Sequence, residues 1–215
     1  SLLTCADNRF IDDSASPKTI TPFGDTSVQR FNPFGTATAY STSVIGGSGY
    51  FNGTGGNYLR TTGTVGIANT AFTICCWFYP LNSSVIGLFD SATISVGTFR
   101  NWSANKIEDQ TQSGGAVNFA GAYQVNAWNW MCITKSGSSF TVYINGSSVG
   151  TGTAYTTLTE STFTVGGINN GADGPYFGYI SDFQVLNTAT VVAVPTAPIT
   201  NASGKTYLLR FQNGA

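Results

Sequence analysis

The chain has 215 residues, 41% of them hydrophobic and 13% aromatic, which suits one domain with a sizeable core. Only 9% are charged, the net charge is −1 and the cations are scattered singly, which argues against a phosphate-tracking nucleic-acid surface. Histidine is absent, removing Ser-His-Asp and Cys-His catalysis, and no apolar run approaches the roughly 18 residues of a membrane span. Ser, Thr, Asn and Gly stand where charges usually do, as on extracellular, cell-surface and virus-particle proteins.

Ser1–Ala6 has no basic region and no long apolar stretch, so no signal peptide is expected there. Without an initiator Met, the chain reads as processed, excised from something longer, or numbered from its first ordered residue. Leu2–Phe10 reads as a strand, followed by a turn through Ser14 into Ile20–Phe23. Gly24–Ala39 reads as a long excursion with a sharp turn at Asn32-Pro33-Phe34-Gly35, anchored by Phe31 and Phe34. Gly49–Arg60 holds two short strands around a Gly-rich turn. No Gly-Lys-Ser/Thr follows it, so its glycines are hairpin glycines rather than a phosphate cradle. Phe72–Pro80 is apolar on both faces, which predicts a central strand covered on both sides and ended by Pro80.

Val85–Phe89, Thr93–Arg100 and Val117–Phe119 read as shorter strands. Ala127–Gly150 is a complete hairpin. Trp128, Trp130, Cys132 and Thr134 share one face and Met131 and Ile133 the other, and Phe140, Val142 and Ile144 alternate with Thr141, Tyr143 and Asn145. Asn145-Gly146 is a turn that favours positive φ. Phe163–Gly167, Tyr176–Leu186 and Tyr207–Phe211 complete the strands, and Asn187–Val194 has room for one helical turn at most. The fold class is therefore all-β, a two-sheet antiparallel jelly-roll sandwich. Cys5, Cys75, Cys76 and Cys132 match no zinc spacing. Cys75 and Cys76 point to opposite faces. Cys76 and Cys132 could share a core face and pair, though buried reduced thiols are the favoured reading.

Four stretches, in order, resemble the laminin-G-like jelly rolls of the concanavalin A-like superfamily. Tyr50-Phe51-Asn52-Gly53 with Asn57-Tyr58-Leu59 is similar to F-D-G-x-x-D-Y-L, and Phe72-Thr73-Ile74 with Trp77 and Pro80 is similar to F-T-I-x-x-W-x-x-P. Trp128–Gly146 is similar to W-H-H-V-A-x-x-x-x-G…L-Y-V-N-G, and Gly178–Asp182 to G-x-I-D-x-V. The resemblance spans about residues 45–198 of a single domain, 1–215, whose extensions 1–44 and 199–215 are candidates for assembly. Leu-Leu near the start and Pro-x-x-Pro near the end look like the versions in bacteriophage virion proteins. Ser1–Asn8 also echoes Tyr207–Asn213, so the terminal strands either pair at one sheet edge, or link or swap between copies.

Catalytic members of the superfamily need two nearby carboxylates. Here Glu108 and Glu160 are the only glutamates, Glu108-Asp109 are adjacent and face opposite ways, and Asp12-Asp13 sit in a turn, so no enzyme is expected. The resemblance implies a Ca²⁺ site at a sandwich rim, for which Asp173, Asp90 and Asp109 are the candidates, with turn-making as the competing role of the loop Asn169–Gly174. Asn52 and Asn57 stand where the family has aspartates, which weakens any calcium site there. Asp182 is expected to bond backbone across the sheet. Glycan platforms need rim aromatics, and Trp102, Tyr123, Tyr155 and Tyr176 are the candidates. The leading expectation is a non-enzymatic virion module, a capsid-decoration or fibre protein assembling with itself or a shell protein. The alternative is an extracellular or cell-surface carbohydrate-binding adhesin, Ca²⁺-dependent or not, with surface glycans as its partners.

Overall fold

A computed structural model of the chain describes residues 8–29, 31–34, 47–92, 99–109, 115–160, 162–169, 173–200 and 202–213. Among the described residues there are sixteen strands, all paired antiparallel, and no helix. The first five are β1 (Asn8–Asp12), β2 (Ile20–Phe23), β3 (Ser27–Gln29), β4 (Ser48–Asn52) and β5 (Tyr58–Thr62). Then come β6 (Ala71–Pro80), β7 (Phe89–Ala92), β8 (Phe99–Arg100), β9 (Lys106–Asp109) and β10 (Val117–Asn118). The last six are β11 (Asn129–Ser136), β12 (Ser139–Ile144), β13 (Ser147–Thr153), β14 (Thr162–Val165), β15 (Phe177–Leu186) and β16 (Lys205–Asn213). A nine-stranded sheet runs β1-β16-β15-β6-β11-β12-β13, with β4 paired to β15 and β3 to β4. A seven-stranded sheet runs β10-β9-β8-β7-β14-β5-β2.

The core lies between the sheets and follows from the period of two. Phe72, Ile74, Cys76 and Phe78 of β6, Met131 and Ile133 of β11, and Phe140, Val142 and Ile144 of β12 turn inward. They meet Leu59, Phe89, Phe99, Ile107, Phe163 and Val165 of the other sheet. Aromatic edges lock the two layers: Phe99 meets Phe140 at 5.0 Å and Phe163 meets Phe183 at 5.6 Å. The hairpin turn carries φ of +51° at Asn145 and +84° at Gly146, as its sequence predicts.

β1 pairs with β16, Asn8 opposite Asn213 and Asp12 opposite Leu209, so the first and last strands close one sheet edge within the chain. The Asp13–Arg210 ion pair, 2.6 Å, pins the same corner. Phe31 and Phe34 anchor their excursion as expected: Phe31 packs on Tyr79, Tyr179 and Trp128, and Phe34 meets Trp77 edge-on. Residues 35–39 of that excursion, like 2–7 and 93–98 of the predicted strands and Cys5, lie outside the described residues.

Three expectations need correction. Cys132 stands opposite Cys75, and Cys76 opposite Met131, so Cys76 and Cys132 lie on different faces of the nine-stranded sheet. Cys75, Cys76 and Cys132 are free and buried. Val85–Leu88 joins no strand: Gly87 takes φ +76°, and side-chain amides accept two of the segment's N–H groups. Asn105 Oδ1 accepts from the Val85 N–H at 3.0 Å, and Asn101 Oδ1 from the Leu88 N–H at 3.1 Å. β9 and β13 were not anticipated as separate strands, since Lys106–Asp109 is mostly charged and Ser147–Thr153 is Ser, Thr and Gly with one Val.

Candidate functional site

The outer face of the seven-stranded sheet carries one polar row. Cross-strand register aligns Thr21 with Arg60, Arg60 with Thr164, Thr164 with Asp90, Asp90 with Arg100 and Arg100 with Glu108. A neighbour of each in its strand (Ile20, Leu59, Phe163, Phe89, Phe99, Ile107) packs toward the core, so alternation turns these six outward. An aromatic ring flanks each arginine. The Arg60 guanidinium lies 4.9 Å over the Phe23 ring, which stacks on Tyr58 at 4.5 Å, and the Arg100 guanidinium lies 3.9 Å over Trp102.

At the middle of the row the polar groups are buried and only partly bonded. Asn169, held at φ +49° in the loop after β14, organises them. Its backbone N–H donates to Asp90 Oδ2 at 2.7 Å, its Nδ2 donates to Asp173 Oδ2 at 2.7 Å, and its Oδ1 accepts from Arg100 Nη1 at 3.1 Å. Asp90 and Arg100 are each 1% exposed, and Thr164 is fully buried. Asp90 Oδ1, Arg100 Nε, Arg100 Nη2 and Thr164 Oγ1 have no hydrogen-bond partner. Burial pushes the Asp90 carboxyl up from its ordinary range, against the Asn169 amide and the Arg100 charge. Burial also pulls the Arg100 guanidinium down, against the charges of Asp90, Glu108 and Asp173. Trp102 is half-buried, while Asn169 and Asp173 are exposed, so this middle section reaches solvent at its rim.

Of the residues singled out from sequence, the structure brings Asp90, Asp173 and Trp102 together here. Asp109 lies elsewhere: it follows Glu108 in β9, so it turns to the opposite face, where its Oδ2 accepts from the Tyr155 N–H at 2.9 Å. It lies near Lys135, whose Nζ donates to the Gly137 and Thr156 carbonyls. Tyr155 is exposed. The Tyr123 hydroxyl sits between the Ser83 carbonyl at 2.7 Å and Asn105 Oδ1 at 2.8 Å, and its ring packs on Phe78 and Phe119. Tyr176 is 1% exposed and packs on Phe51, which makes it core rather than rim. Asn52 and Asn57 bond to each other and to Thr54, the chemistry of a turn. Asp182 sits at φ +46° where the β15–β6 register shifts, and burial raises its carboxyl to about 7, against the Ile199 amide and the Arg210 charge.

Asp90, Asp173 and Asp109 do not converge on one centre. Among the described residues no three His, Cys, Asp or Glu side chains group together, and the Asp90–Asp173 pair shares its centre with a guanidinium. Glu108 lies beside Arg100 in the row, and Glu160 accepts from the Val65 and Ile67 N–H groups, so the two glutamates are not paired for chemistry. A separate cavity of about 390 Å³ is lined by Lys18, Asn69, Asn187, Lys205 and Thr206 among others, with no aromatic ring. No helix among the described residues is long and apolar enough to cross a membrane.

Sequence reasoning missed Arg100, Asn169 and Thr164. Phe99-Arg100-Asn101-Trp102 held a signal: a cation and an indole two residues apart share a strand face, behind an inward Phe.

Comparison with known proteins places the chain in a family. A search of curated proteins by sequence finds no match. Among solved structures, domain 4 of AbnA, a GH43 extracellular arabinanase from Geobacillus stearothermophilus solved with arabinotriose, is similar at TM-score 0.56 and 20% identity, over 81% of this chain and 84% of that one. The native heptameric SAP-like pentraxin from Limulus polyphemus is similar at TM-score 0.58 and 18% identity, over 80% and 94%. The binding domain of Botulinum Neurotoxin DC, in complex with SialylT, is similar at TM-score 0.56 and 15% identity, over 84% of this chain and 45% of that one. At such identities these neighbours share the fold. The Laminin_G_3 family model matches residues 52–193, and the chain therefore belongs to the concanavalin A-like lectin/glucanases superfamily, in its laminin-G family.

Proposed function

We propose that this chain is a non-catalytic glycan-binding module of an extracellular or surface protein, and that it binds through the outer row of the seven-stranded sheet. One observation carries the reading: Thr164, Asp90 and Arg100, adjacent in one cross-strand row, hold buried polar atoms without partners beside a half-buried indole. Buried polar groups are normally satisfied, and a run of open donors and acceptors points to a ligand that completes them. Sugars supply hydroxyls that donate and accept at once, and an apolar ring face for an indole. The arabinotriose and SialylT complexes of two structural neighbours support the class of ligand.

The non-catalytic part rests on Arg100. The row's two carboxylates, Asp90 and Glu108, flank it, so a guanidinium occupies the middle of the span where a scissile bond would have to lie. The virion reading finds no support in the family or its neighbours. Low charge and neutral polar surface suit an extracellular module equally. Self-assembly stays open to the edge strands β1 and β13, and light scattering measures it directly.

An array of neutral and acidic oligosaccharides, probed with calcium and with chelator, tests the reading. Binding is expected in both conditions, with no cleavage products and with loss on Arg100→Met. Silence across the array in both conditions rejects the glycan reading.

A further inference from the structure

The geometry points to a more specific ligand for this face, and the inference rests on the glycan-binding reading: the middle of the row reads a sugar that bears a carboxylate, of the uronic-acid kind, through the side-on edge of Arg100. The guanidinium has three sides. One, Nη1, is committed to Asn169 Oδ1 at 3.1 Å. The other two nitrogens, Nε and Nη2, are buried and unbonded, and together they form the fork whose parallel N–H groups match the two oxygens of one carboxylate. Trp102 covers the flat face at 3.9 Å, so the fork is the side left for hydrogen bonding.

A neutral sugar would meet these donors one oxygen at a time, whereas a carboxylate presents two oxygens in the plane of the fork. Among the described residues no carboxylate closes a hydrogen bond or ion pair on Arg100, because Asn169 stands between it and both Asp90 and Asp173, bonding all three. A buried guanidinium with open donors is expensive, and a ligand carboxylate seated on the fork supplies both missing acceptors at once. Asp173 is exposed and tied to Asn169 Nδ2, and Glu108 is half-buried, so water screens their repulsion of an incoming anion more than it screens the desolvated fork. Asp90 Oδ1 and Thr164 Oγ1, the next positions in the row, are placed to take ring hydroxyls beside the carboxylate. Entry has to shift Trp102, the half-buried ring over a guanidinium that is 1% exposed.

The test uses matched pairs on the whole chain: galacturonate, glucuronate and mannuronate oligosaccharides, each beside its carboxyl-reduced neutral counterpart, titrated by calorimetry and tryptophan fluorescence. At least one acid is expected to bind ten-fold or more tightly than its neutral partner, with a change in indole emission. Arg100→Lys keeps the charge but loses the planar fork, so it should weaken acid binding at least ten-fold more than neutral binding and so erase that preference. Circular dichroism confirms that the variant is folded, and the comparison of pairs on the native chain needs no variant. Equal affinity within every pair overturns the acid inference and leaves the glycan reading standing, as does a preference that survives in Arg100→Lys and Arg100→Gln. No binding to either member of any pair, with a silent array, removes both.

Discussion

The two outer faces of the sandwich are finished differently. On the nine-stranded sheet, Cys75, Trp77, Trp130 and Cys132 form a second apolar cluster, roofed by Phe34 and by Val192 and Ile199 of the segment between β15 and β16. That segment is fastened to the sheet. Thr73 Oγ1 bonds the Thr188 and Thr190 carbonyls, Trp130 Nε1 donates to the Val192 carbonyl at 3.3 Å, and the Val192 N–H meets Cys132 Sγ at 3.4 Å. On the seven-stranded sheet the polar row is flanked by the rings of Phe23 and the half-buried Trp102 and lies beside the exposed Asn169 and Asp173. Both faces keep buried polar atoms without partners: Trp77 Nε1, Asp182 and Gln184 Nε2 on one, and Thr164, Asp90 and Arg100 on the other. The first face is covered by the segment between β15 and β16, whereas in the second Arg100 lies against a half-buried side chain. The proposed function assigns the first face to structure and the second to binding.

The largest test of that contrast sets two tryptophans against each other. Trp130 is fully buried and 5.3 Å from Trp77, so Trp130→Ala is expected to lower unfolding stability by about 3–5 kcal/mol in urea. Trp102→Ala should lower it by less than about 1 kcal/mol. Equal losses would mean that both faces are core and would break the comparison.

Next comes pH. The carboxyls of Asp182 and Glu160 are both raised to about 7 by burial. Two backbone N–H groups and the Lys18 charge oppose this at Glu160. A raised acid holds its proton more tightly in the folded state than in the unfolded chain. Its contribution is therefore fully present below the unfolded value near 4, and is lost as pH climbs to about 7. Each group accounts for at most roughly 4 kcal/mol between pH 4 and pH 8. The thermal midpoint should thus be higher at pH 5 than at pH 8, and Asp182→Asn and Glu160→Gln should each flatten the profile. Asparagine tolerates the positive φ at position 182, so Asp182→Asn should raise stability at pH 8. A midpoint that rises from pH 5 to pH 8 contradicts the burial assigned to these two groups.

A smaller effect separates binding from folding. Arg100→Met takes the donor from Asn169 Oδ1 and the cation from beside buried Asp90, so it should lower stability by about 1–2 kcal/mol. It should abolish glycan binding all the same. A loss of several kcal/mol in urea unfolding would make Arg100 a structural pillar and the row a part of the scaffold.

Much of the scaffold can be read along the chain because its signals are local. The β11–β12 hairpin alternates residue by residue, Asn145-Gly146 names its own turn, and the apolar run of β6 announces a strand covered on both sides. The site is not local. Thr164, Asp90 and Arg100 become neighbours only through the register of three strands, β14, β7 and β8, and β8 is two residues long. Tyr176 follows Pro175 and looks like a loop aromatic, yet its ring turns in against Phe51 because the strand beginning at Phe177 is already in register with β4. Asp109 and Glu108 could be assigned to opposite faces by alternation, but which face was the core required the partner strand.

Amide hydrogen exchange, with and without a saturating oligosaccharide that the array identifies, tests the central claim most directly. The account predicts slowed exchange at residues 89–91, 99–102 and 163–169 and no change at 73–77 and 130–133. Protection confined to 73–77 and 130–133, with the row unaffected, would contradict it.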